Sequence, residues 1–375
     1  MVTPPAASAD LAARAAETVR QLARTPRPAG GAAETASRAL CADRLRAAGF
    51  DVTEERFAYS AFPGRWGTPF GGVIAILVLL IAAWLGRVGR AGDALAVLTL
   101  GAAVLGVIAR WLMVRGVLVF PLARQTGVNL VATRGGPVPA TWLMAHLDSK
   151  SQPVPILVRA AGVTLLIIAW LAGFVVAGAQ LAASVEWGPV WSAVAVIAAA
   201  GALPVIATTV GSRSPGALDN ATGVATVLAA AEATRSPLGV CLTSAEELGL
   251  AGARAWVQGR GAPPAGVVVV NCDGVDDAGT TTSMHSGARP TALIDAVVAA
   301  ARRAGTSVRA HRLLPGVLTD GVALADAGWP VVTLSKGSVR TLARIHTSLD
   351  RADGMTGEGM AEVARVIVAL LESRA

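Results

Sequence analysis

Lysine and tyrosine are almost missing from this chain, and charge of either sign is scarce. Lys150 and Lys336 are its only lysines, Tyr59 is its only tyrosine, and charged residues make up 15% of 375 positions. The net charge of +7 is therefore an arginine charge, and no basic run interleaved with aromatics accompanies it. That combination argues against a nucleic-acid surface and leaves membrane-flanking charge as the reading of the arginine excess. Cysteine is scarce as well. Cys41, Cys241 and Cys272 are scattered and odd in number, with no CxxC pair to make a metal or redox motif, so they read as reduced and structural. Several catalytic signatures are absent altogether: no two histidines are spaced as HExxH, and there is no GxSxG elbow, no Walker A loop and no GxGxxG after a strand.

What the chain has in excess is apolar. Hydrophobic residues reach 53%, too much for an ordinary soluble domain, and the surplus is concentrated in four runs. These are "PFGGVIAILVLLIAAWLG" (69–86), "ALAVLTLGAAVLGVIA" (94–109), "AAGVTLLIIAWLAGFVVAGAQLAA" (160–183) and "WGPVWSAVAVIAAAGALPVIATTVG" (187–211). About 20 apolar residues cross the hydrocarbon core of a bilayer. The second run reaches that length only if "RWLMV" (110–114) extends it, with Arg110 snorkelling to the interface. Helices in the core of a soluble fold keep a polar face, and these runs have none. They fall into two close pairs, which predicts two transmembrane hairpins (68–114 and 156–211) interrupting a polar domain made of 1–67, 115–155 and 212–375. Because each hairpin returns to the side it left, all the polar sequence is expected on one face. The start "MVTPPAASADLAARAAE" is polar and lacks a signal-peptide pattern. The first 60 residues read as two amphipathic helices around "PRPAGG", followed by a strand, "DVTEERFAY".

The polar part alternates short apolar runs with helical patterns, as a parallel α/β sheet does. "TWLMAHLD", "LGVCLTS", "AGVVVVNCD" and "WPVVTLS" read as strands, with "NLVAT" nearer an edge; 221–234 and 290–305 carry helical spacing. Ligands of open α/β sheets gather beyond the carboxyl ends of the strands. His146 and Asp148 end the first of these runs, Glu246 and Glu247 the second and Asp273 the third. Asp219 lies in "SPGALDNATGV", where a turn feeds a helix, and His346 follows the last strand by a loop. Singly, each has a dull explanation: a helix cap for Asp219, a turn former for Asp273, a core histidine for His146. Together they deliver imidazoles and carboxylates to one edge. Mixed sets of this kind suit zinc, with Co²⁺ or Mn²⁺ as substitutes. A pair of metals needs a bridging carboxylate and a free base for the shared water. In the adjacent pair Glu246–Glu247, one glutamate can bind metal while its neighbour stays unligated beside that water.

The ordered motifs "MAHLDS", "SPGALDNATGVA", "SAEELGLAGARAW", "NCDG" and "IHTSLD" resemble the di-zinc aminopeptidases of clan MH, a superfamily shared with glutaminyl cyclases and glutamate carboxypeptidases. The N-terminal stretch from "ETVRQLARTPRPAGG" to "DVTEERF" is similar to the opening helices of the same domain. The resemblance implies a three-layer α/β/α sandwich with a mixed, mainly parallel central sheet, here carrying four inserted membrane helices. It implies two zinc ions. His146 and Asp273 would hold one, Glu247 and His346 the other, and Asp219 would bridge them. Glu246 would be the general base, and Asp148 would orient His146, as metal-bound histidines require. Asp320 falls where relatives often have an aspartate followed by histidine, so it is either a turn residue or part of the site.

There are departures. Ile345 stands where some relatives have a tyrosine that binds the oxyanion, Gly321 where a histidine follows Asp320, and Leu218 where an acid is common. The 71 residues from Asp148 to Asp219 are more than the motif needs, and the second hairpin fills them. The expected activity is release of N-terminal residues from peptides by a membrane-anchored metallo-aminopeptidase. The alternatives are a glutaminyl-cyclase-type transferase, a binding or scaffold protein that kept the fold, and a transporter. Intact Glu246 argues against the scaffold, and the absence of acid or histidine inside the four runs argues against the transporter. The expected partners are peptides and the lipid bilayer, with no nucleic acid; oligomeric state has no signature. Arg65, Arg115, Arg124, Lys150, Arg159 and Arg213 flank the runs on the domain side, against Arg87 and Arg90 in one far loop and no basic residue in the other, which predicts that the domain faces the cytoplasm.

Overall fold

Eight strands form one sheet in this computed structural model, which describes residues 5–136, 138–183, 187–314 and 316–374. They are β1 (Asp51–Ser60), β2 (Arg124–Arg134), β3 (Thr141–His146), β4 (Leu238–Thr243), β5 (Val268–Val275), β6 (Thr280–His285), β7 (Arg309–Arg312) and β8 (Val331–Gly337). Their order is β1-β2-β4-β3-β5-β8-β6-β7. The central four, β4, β3, β5 and β8, run parallel. β1, β2 and β4 pair antiparallel in turn, β6 pairs antiparallel with β8, and β7 runs parallel to β6. The fold class is thus α/β with a mixed sheet.

β3 and β4 are buried along their whole length, which is why they read as unbroken apolar runs rather than alternations. On one face, Leu143, Ala145, Val240, Leu242 and Val270 join a core with Val224, Leu228, Val297, Val363 and Ile367 of the helices Thr222–Ala233, Thr291–Arg303 and Glu358–Glu372. On the other, Trp142, Met144, Cys241 and Val269 meet Ala253, Trp256, Ala323 and Leu324 of the helices Ala251–Arg260 and Asp320–Asp326. A one-residue slip would exchange these sets between the two cores, so packing pins the register that places His146 at the end of β3. The N-terminal helices Pro5–Leu22 and Ala32–Ala47 precede β1 as the sequence suggests. β6 and β7 have no counterpart among the runs read from sequence. "TTTSMH" alternates burial with hydroxyl side chains, and "RAHR" is a four-residue edge strand, so neither carries an apolar signal.

The chain divides into two compact units. One comprises Met1–Ser60, Pro121–Ser151 and Ser212–Ala375, the other Ala61–Phe120 and Gln152–Gly211. Among the described residues, the second unit holds four helices long and apolar enough to cross a membrane: Phe62–Arg87, Ala91–Val119, Ile156–Ala183 and Gly188–Ile206. The second of these continues past Trp111 through a π-helical segment, Leu112–Gly116, which supplies the length that the run 94–109 lacks. Small residues let the helices approach closely. A Cβ on Gly86 would lie 2.1 Å from the Trp191 ring, and one on Gly162 would lie 2.7 Å from Gly201 O. Trp191 Nε1 donates to Gln180 Oε1, and Gln180 Nε2 donates to Gly86 O, so these part-buried polar groups are satisfied. Residues 184–186, where the sequence places the turn after the third run, lie outside the described residues.

Candidate metal centre

Parallel strands deliver their carboxyl ends to one edge, and the expected residues stand there. His146 closes β3 in register with Thr243, the last residue of β4. Glu246 and Glu247 follow in a single 3₁₀ turn, entered through Ala245 at φ 58°. Asp273 lies in β5 beyond its pairing with β3. Asp219, joined to Asn220 by a cis peptide, occupies the turn before the helix Thr222–Ala233. His346 follows the short helix Val339–Arg344 at φ 64°.

Asp219 sits at the middle of the cluster. Its Oδ1 is 3.0 Å from His146 Nε2, and its Oδ2 is 2.9 Å from His346 Nε2. Asp273 Oδ1 and Glu246 Oε2 lie 3.8 Å and 3.9 Å from His146 Nε2, while Glu247 Oε1 lies 3.3 Å from His346 Nε2. Ligand atoms of His146, Glu246 and Asp273 form one group and those of Asp219, Glu247 and His346 another, all within 4.8 Å of one another in each. His146 Nε2 and Glu247 Oε1 are buried yet receive no well-directed hydrogen bond. Buried polar atoms are ordinarily satisfied, and a divalent cation in each group would satisfy these two. Imidazole with carboxylate oxygen is the donor chemistry zinc takes, so the residues fit two such ions.

The surrounding hydrogen bonds show how the chain holds this arrangement. His146 Nδ1 faces the main-chain oxygen of Asp148 at 3.0 Å, with the Asp148 carboxylate farther off at 3.7 Å. That carboxylate instead accepts from the backbone N–H groups of Glu246 and Glu247. Asp148 thus orients the histidine through its backbone and the two glutamates through its side chain. Asp350 does the same for the central aspartate, accepting from the N–H of Leu218 and of Asp219. Asn220 ties that turn to β5, donating to Cys272 O and accepting from Gly274 N. Arg27, fully buried, donates to the carbonyls of Leu22, Leu147, Pro215 and Gly216. Gly216 has φ 66°, and a Cβ there would lie 2.4 Å from Ser149 Cβ, so this turn passes only where the side chain is absent. Glu34 reaches in from the N-terminal region to accept from Ser244 Oγ and Gly30 N.

The electrostatics separate the two glutamates. Burial, reinforced by Glu247 and Asp273, outweighs the nearby His146 and raises the Glu246 carboxyl well above its ordinary value. Burial pushes Glu247 the same way, but the Lys150 ammonium 2.6 Å from its Oε2, with His346, wins and holds it below the usual range. Burial also opposes the ionised form of Asp219, yet the His146 and His346 imidazoles against its two oxygens hold it well below the usual carboxylate range. For His146 burial disfavours the charged ring, and the surrounding carboxylates, Glu246 first, overcome it and raise its pKa well above the ordinary value. Burial, with neighbouring carboxylates beside it, raises Asp320 and Asp350 to about 7.

Asp320 lies near His146, Asp273 and Asp148. One of its oxygens accepts from Thr243 Oγ1, and the other is buried without a partner. A Cβ on Gly321 would lie 2.6 Å from Thr333 Oγ1, so the hydroxyl of β8 packs closely against this glycine. Ile345 packs against the apolar core and offers no donor. Sequence reasoning did not assign Arg27, Glu34 or Asp350 to this neighbourhood. Asp350 stands inside "IHTSLD" and was legible as part of a motif; the other two reach Leu147 and Ser244 across more than 100 residues of chain and had no signal. Lys150 reads from sequence as a membrane-flanking charge. Its side chain is instead turned into the acids beside Glu247.

Residues 195–371 match the model of Peptidase family M28. No curated protein matches the chain in sequence. Among solved structures, the chain is similar to a zinc aminopeptidase from Bacillus subtilis, with 16% identity, TM-score 0.55, and 97% of this chain and 95% of that one covered. It is similar to an aminopeptidase from Aneurinibacillus sp. strain AM-1 at 15% identity, TM-score 0.54, with 96% and 93% covered. A glutaminyl cyclase from Fimbriiglobus ruber aligns at 15% identity and TM-score 0.54 over 96% and 94%. The resemblance to the clan MH superfamily therefore holds, and at these identities the structural likeness speaks for the fold.

Proposed function

We propose that this protein is a membrane-anchored di-zinc exopeptidase that removes N-terminal residues from peptides. The observation that carries the reading is Asp219, whose two oxygens face His146 on one side and His346 on the other. In this assignment His146 and Asp273 would hold one metal, Glu247 and His346 would hold the second, and Asp219 would serve both. Bound there, two divalent ions would supply the positive charge that polarises a scissile carbonyl and makes water acidic enough to attack at neutral pH. Glu246 would accept the proton of that water and return it to the departing amine, a task suited to a carboxyl whose proton affinity burial raises. Asp148 and Asp350 keep the glutamate turn and the bridging aspartate in place through backbone N–H groups. The match to Peptidase family M28 supports peptide substrates. A panel of aminoacyl fluorogenic substrates tests the reading. Substrates with a free α-amino group should be hydrolysed and their N-acetylated counterparts left intact. Equal rates on both would replace the aminopeptidase with an endopeptidase or carboxypeptidase, and conversion of N-terminal glutamine to pyroglutamate without hydrolysis would move the activity to cyclisation.

The four apolar helices anchor this peptidase domain in a bilayer as two hairpins, splitting it into 1–67, 115–155 and 212–375. We place the domain on the cytoplasmic side. Arg65, Arg115, Arg124, Arg159 and Arg213 flank the helix ends next to the polar segments, against Arg87 and Arg90 alone in the connection 87–93. Basic residues in short flanking segments favour the cytoplasmic face. The three native cysteines are buried, so single exposed cysteines report cleanly. Val88→Cys, at a position 54% exposed, should be labelled by an impermeant maleimide in intact cells, and Arg351→Cys should be labelled only after lysis. The opposite pattern would reverse the orientation.

A further inference from the structure

Lys150 is one of two lysines in the chain, and it comes two residues after Asp148. Its ammonium lies 2.6 Å from Glu247 Oε2, with its side chain only 16% exposed. Glu247 is therefore divided: Oε2 is taken by Lys150, while Oε1 faces His346 Nε2 at 3.3 Å and is buried without a hydrogen bond. Three consequences follow from elementary electrostatics. Glu247 has one oxygen left for a metal, so it is confined to monodentate ligation. Part of its negative charge is already compensated. A fixed positive charge stands a few ångströms from where the second cation would sit, and like charges at that range in a buried site repel strongly. No such cation faces the other group among the described residues: His146 has Asp219, Asp273 and Glu246 around its Nε2.

We propose that Lys150 makes the two metal positions unequal. It weakens the Glu247–His346 position so that this one fills last and empties first, while the His146–Asp273 position is occupied at lower free metal. The inference rests on the two-metal reading above and adds to it a device that makes activity depend on metal supply. Lys150 acts here through Glu247 as a positioning and charge-setting residue.

The test is a titration of the metal-stripped, full-length protein in detergent micelles with Zn²⁺ against a chromophoric chelator, repeated with Co²⁺, whose absorption bands report ligand geometry. The wild-type chain should bind in two steps. Lys150→Met removes the charge at similar side-chain volume and leaves Glu247 Oε2 buried and unpaired, a vacancy that a metal fills. The second step should then tighten by about tenfold or more, with the first step little changed. Lys150→Arg retains the charge and should keep the wild-type separation of the steps. If Lys150→Met leaves the second step where it was, or weakens it, the lysine serves only to hold Glu247 in place and the proposal fails while the two-metal reading stands. If the wild-type chain and Lys150→Met both bind a single metal, the two-metal reading itself fails and takes the proposal with it.

Discussion

Glu246→Gln is expected to retain the fold and the metal content of the wild-type chain while its turnover falls by several orders of magnitude. A general base contributes about 10²–10⁴-fold, and this one also positions the water, so the combined loss should exceed the lower bound. The reasoning starts from the 3₁₀ turn. Both backbone N–H groups of the Glu246–Glu247 pair are committed to the Asp148 carboxylate, so the turn presents its two side chains to different neighbours. Glu247 has a cation on one oxygen and an imidazole before the other, the surroundings of a ligand. Among the described residues Glu246 forms no ion pair with a lysine or arginine; its Oε2 stands 3.9 Å from His146 Nε2, and burial raises its carboxyl. A raised carboxyl is a stronger base than an ordinary one, and an unpaired acid in a buried cleft is costly unless it has a task. Glu247→Gln should behave differently, weakening one metal and losing activity with it. Metal analysis alongside kcat separates the two. Loss of a metal from Glu246→Gln would make Glu246 a ligand to the His146–Asp273 position, which its proximity to that group allows, and would overturn the division of labour.

Much of this arrangement is visible in the sequence because parallel α/β sheets place chemistry at strand ends. β3 and β4 are buried throughout and close in His146 and Thr243, and the valine run that opens β5 gives way to Asn271 and Asp273. Their polar endings stand out against such runs. What was not legible has a common cause. β6 and β7 sit toward an edge with hydroxyl and basic side chains, so periodicity does not mark them. Arg27 and Glu34 act through contacts more than 100 residues apart in sequence, and nothing local announces a long-range hydrogen bond. Lys150 is the instructive case. In a sequence it borders a membrane run and reads as an interfacial charge, whereas the fold turns it inward to a carboxylate. The expectation for Asp148 shows the same limit at finer scale. Its proximity to His146 was evident, but which of its atoms orients the imidazole depends on the backbone path, and the main-chain oxygen is nearer than the carboxylate.

Asp219→Ala is expected to lose both metals at once, which distinguishes the central aspartate from every other ligand. The expectation follows from the two distances that flank it, 3.0 Å to His146 Nε2 and 2.9 Å to His346 Nε2, each made by a different oxygen of one carboxylate. Removing an outer hydrogen-bonding partner of a ligand costs about 10–100-fold in metal affinity, so removing a shared ligand should cost each position at least that. The charge balance points the same way. Asp219 is held well below the usual carboxylate range despite full burial, so its negative charge is present at neutral pH and its loss leaves two positive centres without their common counter-charge. Asp273→Ala removes a carboxylate that lies on the His146 side alone, and should empty that position while the other remains fillable. Metal content per chain, measured by plasma mass spectrometry on both variants after equilibration with Zn²⁺, decides the matter, with circular dichroism to confirm the fold. Two metals still bound to Asp219→Ala would sink the bridging assignment, and loss of both from Asp273→Ala as well would show that the cluster binds as one cooperative unit with no residue singled out as the bridge.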